Sequence, residues 1–139
     1  MLYGEYNHNI DSKGRMNFPA KMREELGPVF VITLWQGNCL AAFTDSEWKR
    51  ISDRIRQLPM SQSMDLVRYM FSNACSVEPD KQGRILIPQN LRDAVGLVKD
   101  VTVIGAMDRA EIWDTARWQE RKKGMGNDTF ELKLAELGL

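Results

Sequence analysis

Asp11-Ser-Lys-Gly14-Arg15-Met-Asn-Phe-Pro19-Ala-Lys-Met-Arg23-Glu-Glu-Leu-Gly27 is written a second time, as Asp80-Lys-Gln-Gly83-Arg84-Ile-Leu-Ile-Pro88-Gln-Asn-Leu-Arg92-Asp-Ala-Val-Gly96. The offset is 69 residues from Asp11 to Asp80, and Asp, Gly, Arg, Pro, Arg and Gly keep their spacing without a gap. Half of a 139-residue chain is too short to bury much core on its own, so two copies predict two interlocked halves. Whatever chemistry the repeated residues carry is carried in duplicate.

Within each copy the punctuation is local. Asp11 to Gly14 and Asp80 to Gly83 have turn grammar, with Asp first and Gly where a positive φ is needed. The segments Glu5–Ile10 and Cys75–Pro79 before them, and Arg15–Phe18 and Arg84–Ile87 after them, read as short strands. Each motif is therefore predicted to be a β-hairpin whose tip displays Lys and Arg. Pro19 and Pro88 stand where a helix accepts proline, and Gly27 and Gly96 just past its end. Between them Met22 and Leu26, then Leu91 and Val95, are four apart and mark a buried stripe.

Further out, Val29–Trp35 and Val101–Ile104 are strand candidates, with turns at Gly37-Asn38 and Asp108-Arg109 leading into Leu40–Phe43 and Glu111–Trp113. Thr44 and Glu47 form a capping box before Trp48, Ile51, Ile55 and Leu58; Asp114 precedes Trp118 in the same way. Met64, Val67, Met70 and Phe71 predict a helix joining the halves, and Leu132, Leu134 and Leu137 a terminal one. The predicted class is α+β, with one copy over residues 5–47 and the other over 76–119. Helical segments at 48–75 and 120–139 complete one compact unit.

Formal net charge is zero, which by itself argues against a nucleic-acid binder. The distribution argues the reverse. Over residues 11–23, Lys13, Arg15, Lys21 and Arg23 stand against Asp11 alone, and over residues 80–92 Lys81, Arg84 and Arg92 stand against Asp80. Local potential, rather than the total, steers a polyanion. No apolar run reaches membrane-spanning length and the N-terminus lacks signal-peptide character, so a cytoplasmic protein is expected.

Catalysis finds little support. His8 is the single histidine; Cys75, distant in sequence, lies on the equivalent strand of the other copy, which is the one arrangement that would let the two approach in space. Asp11 and Asp80 are better read as turn caps than as a carboxylate pair. Cys39 and Cys75 are too few for a disulfide framework or a zinc site, and no phosphate-cradling glycine loop occurs, so no metal, cofactor or small-molecule substrate is expected.

The basic tips are another matter. A two-stranded ribbon fits the DNA major groove, where arginine donates two hydrogen bonds to guanine O6 and N7. Lysine, a mobile point charge, suits phosphates. Lys13, Arg15, Lys81 and Arg84 are thus the candidate DNA contacts, supported by the turn formers Asp11, Gly14, Asp80 and Gly83. Against this, Arg15 and Arg84 would be unremarkable surface cations if each simply paired with an acid. Arg23 and Arg92, on the helices, are expected to brace each hairpin through its own Asp.

The doubled Asp-x-x-Gly-Arg-x-x-x-Pro-x-x-x-Arg motif, with Gly4-Glu5-Tyr6 and Glu111-Ile-Trp113-Asp114, resembles the MraZ family. The likeness implies a bacterial transcriptional regulator built from two SpoVT-AbrB-type repeats, intertwined as a pseudo-twofold β-barrel within one chain. It implies ring-like homo-oligomers on double-stranded DNA, reading short G-rich direct repeats upstream of their own cell-division and cell-wall gene cluster. Lys13, Arg15 and Arg84 match the DNA-contacting loop positions; Lys81-Gln82 replaces Ser12-Lys13, moving one cation along the turn. Two alternatives stand beside this reading. One is an oligomeric scaffold or antitoxin-like module meeting an acidic protein; the other is an enzyme working in the groove between the copies.

Overall fold

The computed structural model describes residues 1–139, the side chain at position 127 excepted. Along the chain run β1 (Glu5–Asn9), β2 (Arg15–Asn17), α1 (Ala20–Leu26), β3 (Phe30–Trp35), β4 (Cys39–Phe43), α2 (Asp45–Arg56) and α3 (Met60–Ser72). The second half repeats the order with β5 (Cys75–Val77), β6 (Arg84–Leu86), α4 (Gln89–Val95), β7 (Asp100–Gly105), β8 (Ala110–Asp114), α5 (Thr115–Lys123) and α6 (Asn127–Glu136). The class is mixed α+β, as the repeat predicted.

The copies interlock by exchanging strands. β1 pairs antiparallel with β7 of the second copy, while β5 of the second copy pairs with β3 of the first. β4 and β8 join the halves at the centre, giving a six-stranded antiparallel sheet in the order β1-β7-β8-β4-β3-β5. A separate two-stranded ribbon is formed by β2 and β6. Its register sets Met16 opposite Ile85, the same motif position in both copies, so a pseudo-twofold axis passes between them.

This corrects the expected hairpin. The strand leaving each turn does not lie along the strand entering it, apart from the single bridge Ile10–Met16. The physical reason is burial: Met16 and Ile85, each only about 2% exposed, reach the core when β2 and β6 pair with each other. The pairing among the described residues leaves an open main sheet plus the ribbon, and forms no closed barrel.

Both faces of the inner strands β7, β8, β4 and β3 are largely covered, which is why they read as nearly continuous apolar runs, whereas the edge strand β1 is polar and alternates exposed with half-buried residues. Phe30, Ile32, Leu40, Ala42, Val101, Val103, Ala110 and Ile112 alternate toward one face. There they meet Met16 and Ile85 of the ribbon, Phe18 and Ile87 just beyond it, and the stripes Met22/Leu26 and Leu91/Val95 of α1 and α4. Phe18 and Phe30 lie 5.3 Å apart, tilted by 39°; burying such a side chain contributes roughly 1.5–3 kcal/mol. On the other face Trp113 and Trp118 pack 5.4 Å apart, and Thr33 Oγ1 donates to the Met70 carbonyl of α3 at 3.2 Å.

The helix ends follow the sequence signals. Thr44 Oγ1 accepts from the Glu47 N–H at 3.1 Å, but the Glu47 carboxylate turns to Arg50 instead of closing the box. Asp114 accepts from the Arg117 N–H at 3.0 Å. α2 buries none of its residues fully, and α3 leaves Met60, Met64, Leu66, Val67, Tyr69 and Phe71 exposed. No helix of the structure is long and apolar enough to cross a membrane.

Candidate nucleic-acid interface

Each turn is built on one aspartate. Asp11 Oδ1 accepts from the N–H groups of Lys13 and Arg15, both at 2.9 Å, and the Gly14 N–H closes the turn on the Asp11 carbonyl at 3.0 Å. Asp80 does the same with the Gln82 and Arg84 N–H groups at 2.9 Å and with Gly83. The second carboxylate oxygen then holds the arginine: Arg15 Nε donates to Asp11 Oδ2 at 3.0 Å, and Arg84 Nε to Asp80 Oδ2 at 3.1 Å. In both turns the backbone N–H of the arginine is the largest influence keeping the aspartate below the ordinary carboxylate range, with its guanidinium adding to it. Both carboxylates are therefore ionised at neutral pH.

Arg15 and Arg84 thus do pair with acids, but the pairing does not make them inert. Exposed ion pairs of this kind contribute little to stability, typically about 0–1 kcal/mol. What the contact supplies is orientation. A guanidinium has five donors in a rigid fork. Only Nε–H is engaged here; Nη1 and Nη2 of both arginines make no hydrogen bond among the described residues. Lys13 and Lys81 are exposed and form no ion pair among the described residues.

Arg23 and Arg92 overturn their expectation. Neither reaches its own Asp; each braces the turn of the other copy. Arg92 Nε donates to the Ile87 carbonyl at 2.9 Å and its Nη1 to the Ser12 carbonyl at 3.3 Å. Arg23 Nε donates to the Phe18 carbonyl at 3.0 Å, its guanidinium lying beneath Gly83. The strand exchange is the cause, since it lays each copy's helix under the other copy's turn. Backbone bonds complete the exchange: Ile87 N–H donates to the Gly14 carbonyl at 2.8 Å, and Phe18 N–H to the Gly83 carbonyl at 3.0 Å.

The two turn glycines are required twice over. Their φ values are +91° and +81°, a region that side-chain-bearing residues occupy only with strain. A Cβ on Gly14 would also stand 2.4 Å from the Ile87 carbonyl oxygen and 2.7 Å from Arg92 Nε; on Gly83 it would meet Arg23 at 2.6 Å. Gly14→Ala is expected to cost roughly 2–5 kcal/mol, combining backbone strain with overpacking. Gly83→Ala should cost less at its contact, because it meets the end of a side chain rather than backbone. Urea denaturation of the two variants checks the order; an unchanged midpoint for Gly14→Ala contradicts this account of the turn.

His8 and Cys75 are not brought together. β1 and β5 are the opposite edges of the six-stranded sheet, on the order of 24 Å apart at about 4.8 Å per strand. Burial lowers the His8 pKa, raises that of Cys75 and pushes the Cys39 thiol up to about 12. The two thiols are thus held protonated and poorly disposed to nucleophilic chemistry at neutral pH. Among the described residues no group of three His, Cys, Asp or Glu is clustered for a metal ion.

Sequence reading also passed over Asn17 and Leu86, which lie on the outward face of the ribbon beside Arg84 and Arg15. The period-2 alternation of a strand was the signal available, Arg15 and Asn17 sharing one face and Arg84 and Leu86 the same one.

The fold and the paired turns define a duplicated, strand-exchanged protein that presents two carboxylate-oriented arginines on one pseudo-twofold ribbon. The family model described as "MraZ protein, putative antitoxin-like" matches residues 1–65 and 70–133, and the chain belongs to the MraZ family. A protein of Acetivibrio thermocellus named transcriptional regulator MraZ is 44% identical over 143 residues, covering 100% of both chains. One of the same name from Caldicellulosiruptor bescii is 42% identical over 143 residues, again with 100% of both covered. A solution structure of PHS018 from Pyrococcus horikoshii covers 81% of this chain and 88% of its own at 14% identity and a TM-score of 0.32, too distant to bear on the fold.

Proposed function

We propose that this chain is a sequence-specific DNA-binding transcriptional regulator, not an enzyme, acting on short G-rich direct repeats upstream of its own cell-division and cell-wall gene cluster. The observation that carries this reading is the twin Gly-Arg turn. Arg15 and Arg84 are each aimed by a carboxylate through Nε, leaving the end of the fork for a base, and sit on a two-stranded ribbon of the kind that fits a major groove. Lys13 and Lys81 flank them as phosphate contacts, and neither cofactor nor small-molecule substrate is involved. The repeats at 5–47 and 76–119 act as one unit, in the cytoplasm and associated with the nucleoid.

The protein works as a homo-oligomer, ring-like in arrangement. Apolar side chains exposed on α3 and α6 and just past the ends of α2 and α6 support this, among them Met64, Val67, Phe71, Phe130, Leu58 and Leu137, since such surface favours association. Several copies along one DNA face raise avidity without new contacts. The family's antitoxin-like description favours a second reading, in which that apolar surface takes a different protein.

Titration into duplexes from the protein's own upstream region, and into scrambled duplexes, at two salt concentrations tests the assignment. Tight binding to the cognate duplex with a steep loss of affinity in salt is expected, because phosphate contacts release counterions. Equal, weak affinity for both duplexes would turn the reading toward the protein-binding alternative.

A further inference from the structure

The ribbon's outward face carries four side chains. Arg15 stands opposite Leu86 and Asn17 opposite Arg84, while Met16 and Ile85 point into the core. Along one strand Arg15 and Asn17 are about 6.7 Å apart, close to two base-pair steps. Across the diagonal the two arginines are roughly 7–8 Å apart. Were the copies identical on this face, it would be twofold symmetric and would match a symmetric pair of half-sites. The arginines obey that symmetry; their neighbours break it.

Asn17 and Leu86 occupy the same motif position, two residues after the turn arginine. They differ in kind. Asn17 is exposed and its amide makes no hydrogen bond among the described residues, unlike either arginine. Leu86 is 57% exposed, an apolar side chain set in an otherwise polar face. A single exposed leucine is ordinary. This one lies directly across from Arg15, the residue proposed to read guanine. Asparagine pairs bidentately with adenine N6 and N7, whereas an apolar side chain packs on the thymine methyl.

Resting on the DNA-reading assignment above, we propose that Asn17 and Leu86 are the specificity residues that make the bound site asymmetric. Asn17 reads an adenine on one side of the ribbon axis, and Leu86 covers a thymine methyl on the other. Each works beside an arginine on guanine. A pseudo-twofold ribbon is thereby given a direction along the groove, so neighbouring copies can engage sites repeated head to tail.

Selection from a randomised duplex pool tests this with the wild type, Asn17→Leu, Leu86→Asn and the double exchange Asn17→Leu/Leu86→Asn. Melting curves check that all four are folded; both positions are exposed, and the core residues Met16 and Ile85 are untouched. The wild type should enrich a non-palindromic motif. Asn17→Leu should lose its adenine preference by roughly 5- to 150-fold at one position, the range of one bidentate base contact. Leu86→Asn should gain an adenine at the twofold-related position, and the double exchange should carry the preference from one position to the other. Identical motifs from all four proteins, with Arg15→Ala still abolishing enrichment, would overturn the inference while leaving the DNA-reading assignment standing. A palindromic wild-type motif would overturn it as well. If the wild type enriches no sequence at all, the DNA-reading assignment fails first and this inference falls with it.

Discussion

Arg15→Ala is expected to fold normally and to lose cognate DNA affinity by roughly 1–3 kcal/mol per site, with discrimination relaxed at the base it reads. Folding survives because the side chain is exposed and its one partner, Asp11, keeps the Lys13 and residue-15 backbone N–H groups. An oligomer engaging several copies at once multiplies the loss toward undetectable binding. Arg15→Lys separates charge from geometry. It preserves the positive charge but not the fork, so salt-sensitive binding should persist while discrimination falls. Lys13→Ala should instead weaken every sequence alike and flatten the salt dependence, as a phosphate contact does. Arg84→Ala should match Arg15→Ala where both turns read bases, and be milder where the Lys81-Gln82 turn has left that role. Fluorescence anisotropy with cognate and scrambled duplexes at two salt concentrations reads all four. Unchanged cognate affinity for a folded Arg15→Ala protein would remove this turn from the interface.

Residues 1–73 expressed alone are expected to give no cooperatively melting monomer. The segment keeps β1 through α3, but β1 has lost β7, β3 has lost β5, and β2 has lost β6. Met16, Phe18 and Leu26 would face solvent where Ile85, Ile87 and Val95 belong. The fragment should therefore be unfolded or pair with itself, one half standing in for the other. Adding residues 74–139 should restore a cooperative transition. Circular-dichroism melting with light scattering distinguishes the cases, and a monomeric fragment with a sharp transition would contradict the strand exchange.

Much of this was legible in the chain. The strand, turn and helix segments around Gly37-Asn38, Thr44, Pro88 and Gly96 form close to where local rules put them, because turn glycines, caps and prolines act within a few residues. The α+β class followed from the repeat, and the aspartate-capped turns from spacing alone. The partner of each strand was not legible. Arg15–Phe18 carries the same pattern whether it folds back on Glu5–Ile10 or crosses to Arg84–Ile87, and the expected hairpin was wrong for that reason. Only burial of Met16 and Ile85 against a shared core selects the crossing.

The same limit governs the candidate site. By itself the sequence determined the duplicated Gly-Arg turns, the segregation of positive charge, and the aspartates that cap those turns, all local in origin. Tertiary structure alone decided that Arg23 and Arg92 brace the opposite copy, that His8 and Cys75 lie at opposite edges of the sheet, and that Asn17 and Leu86 share a face with both arginines. Those relations join residues roughly 60 to 80 positions apart in the chain. They exist only once two half-cores, each too small to stand alone, are closed on one another.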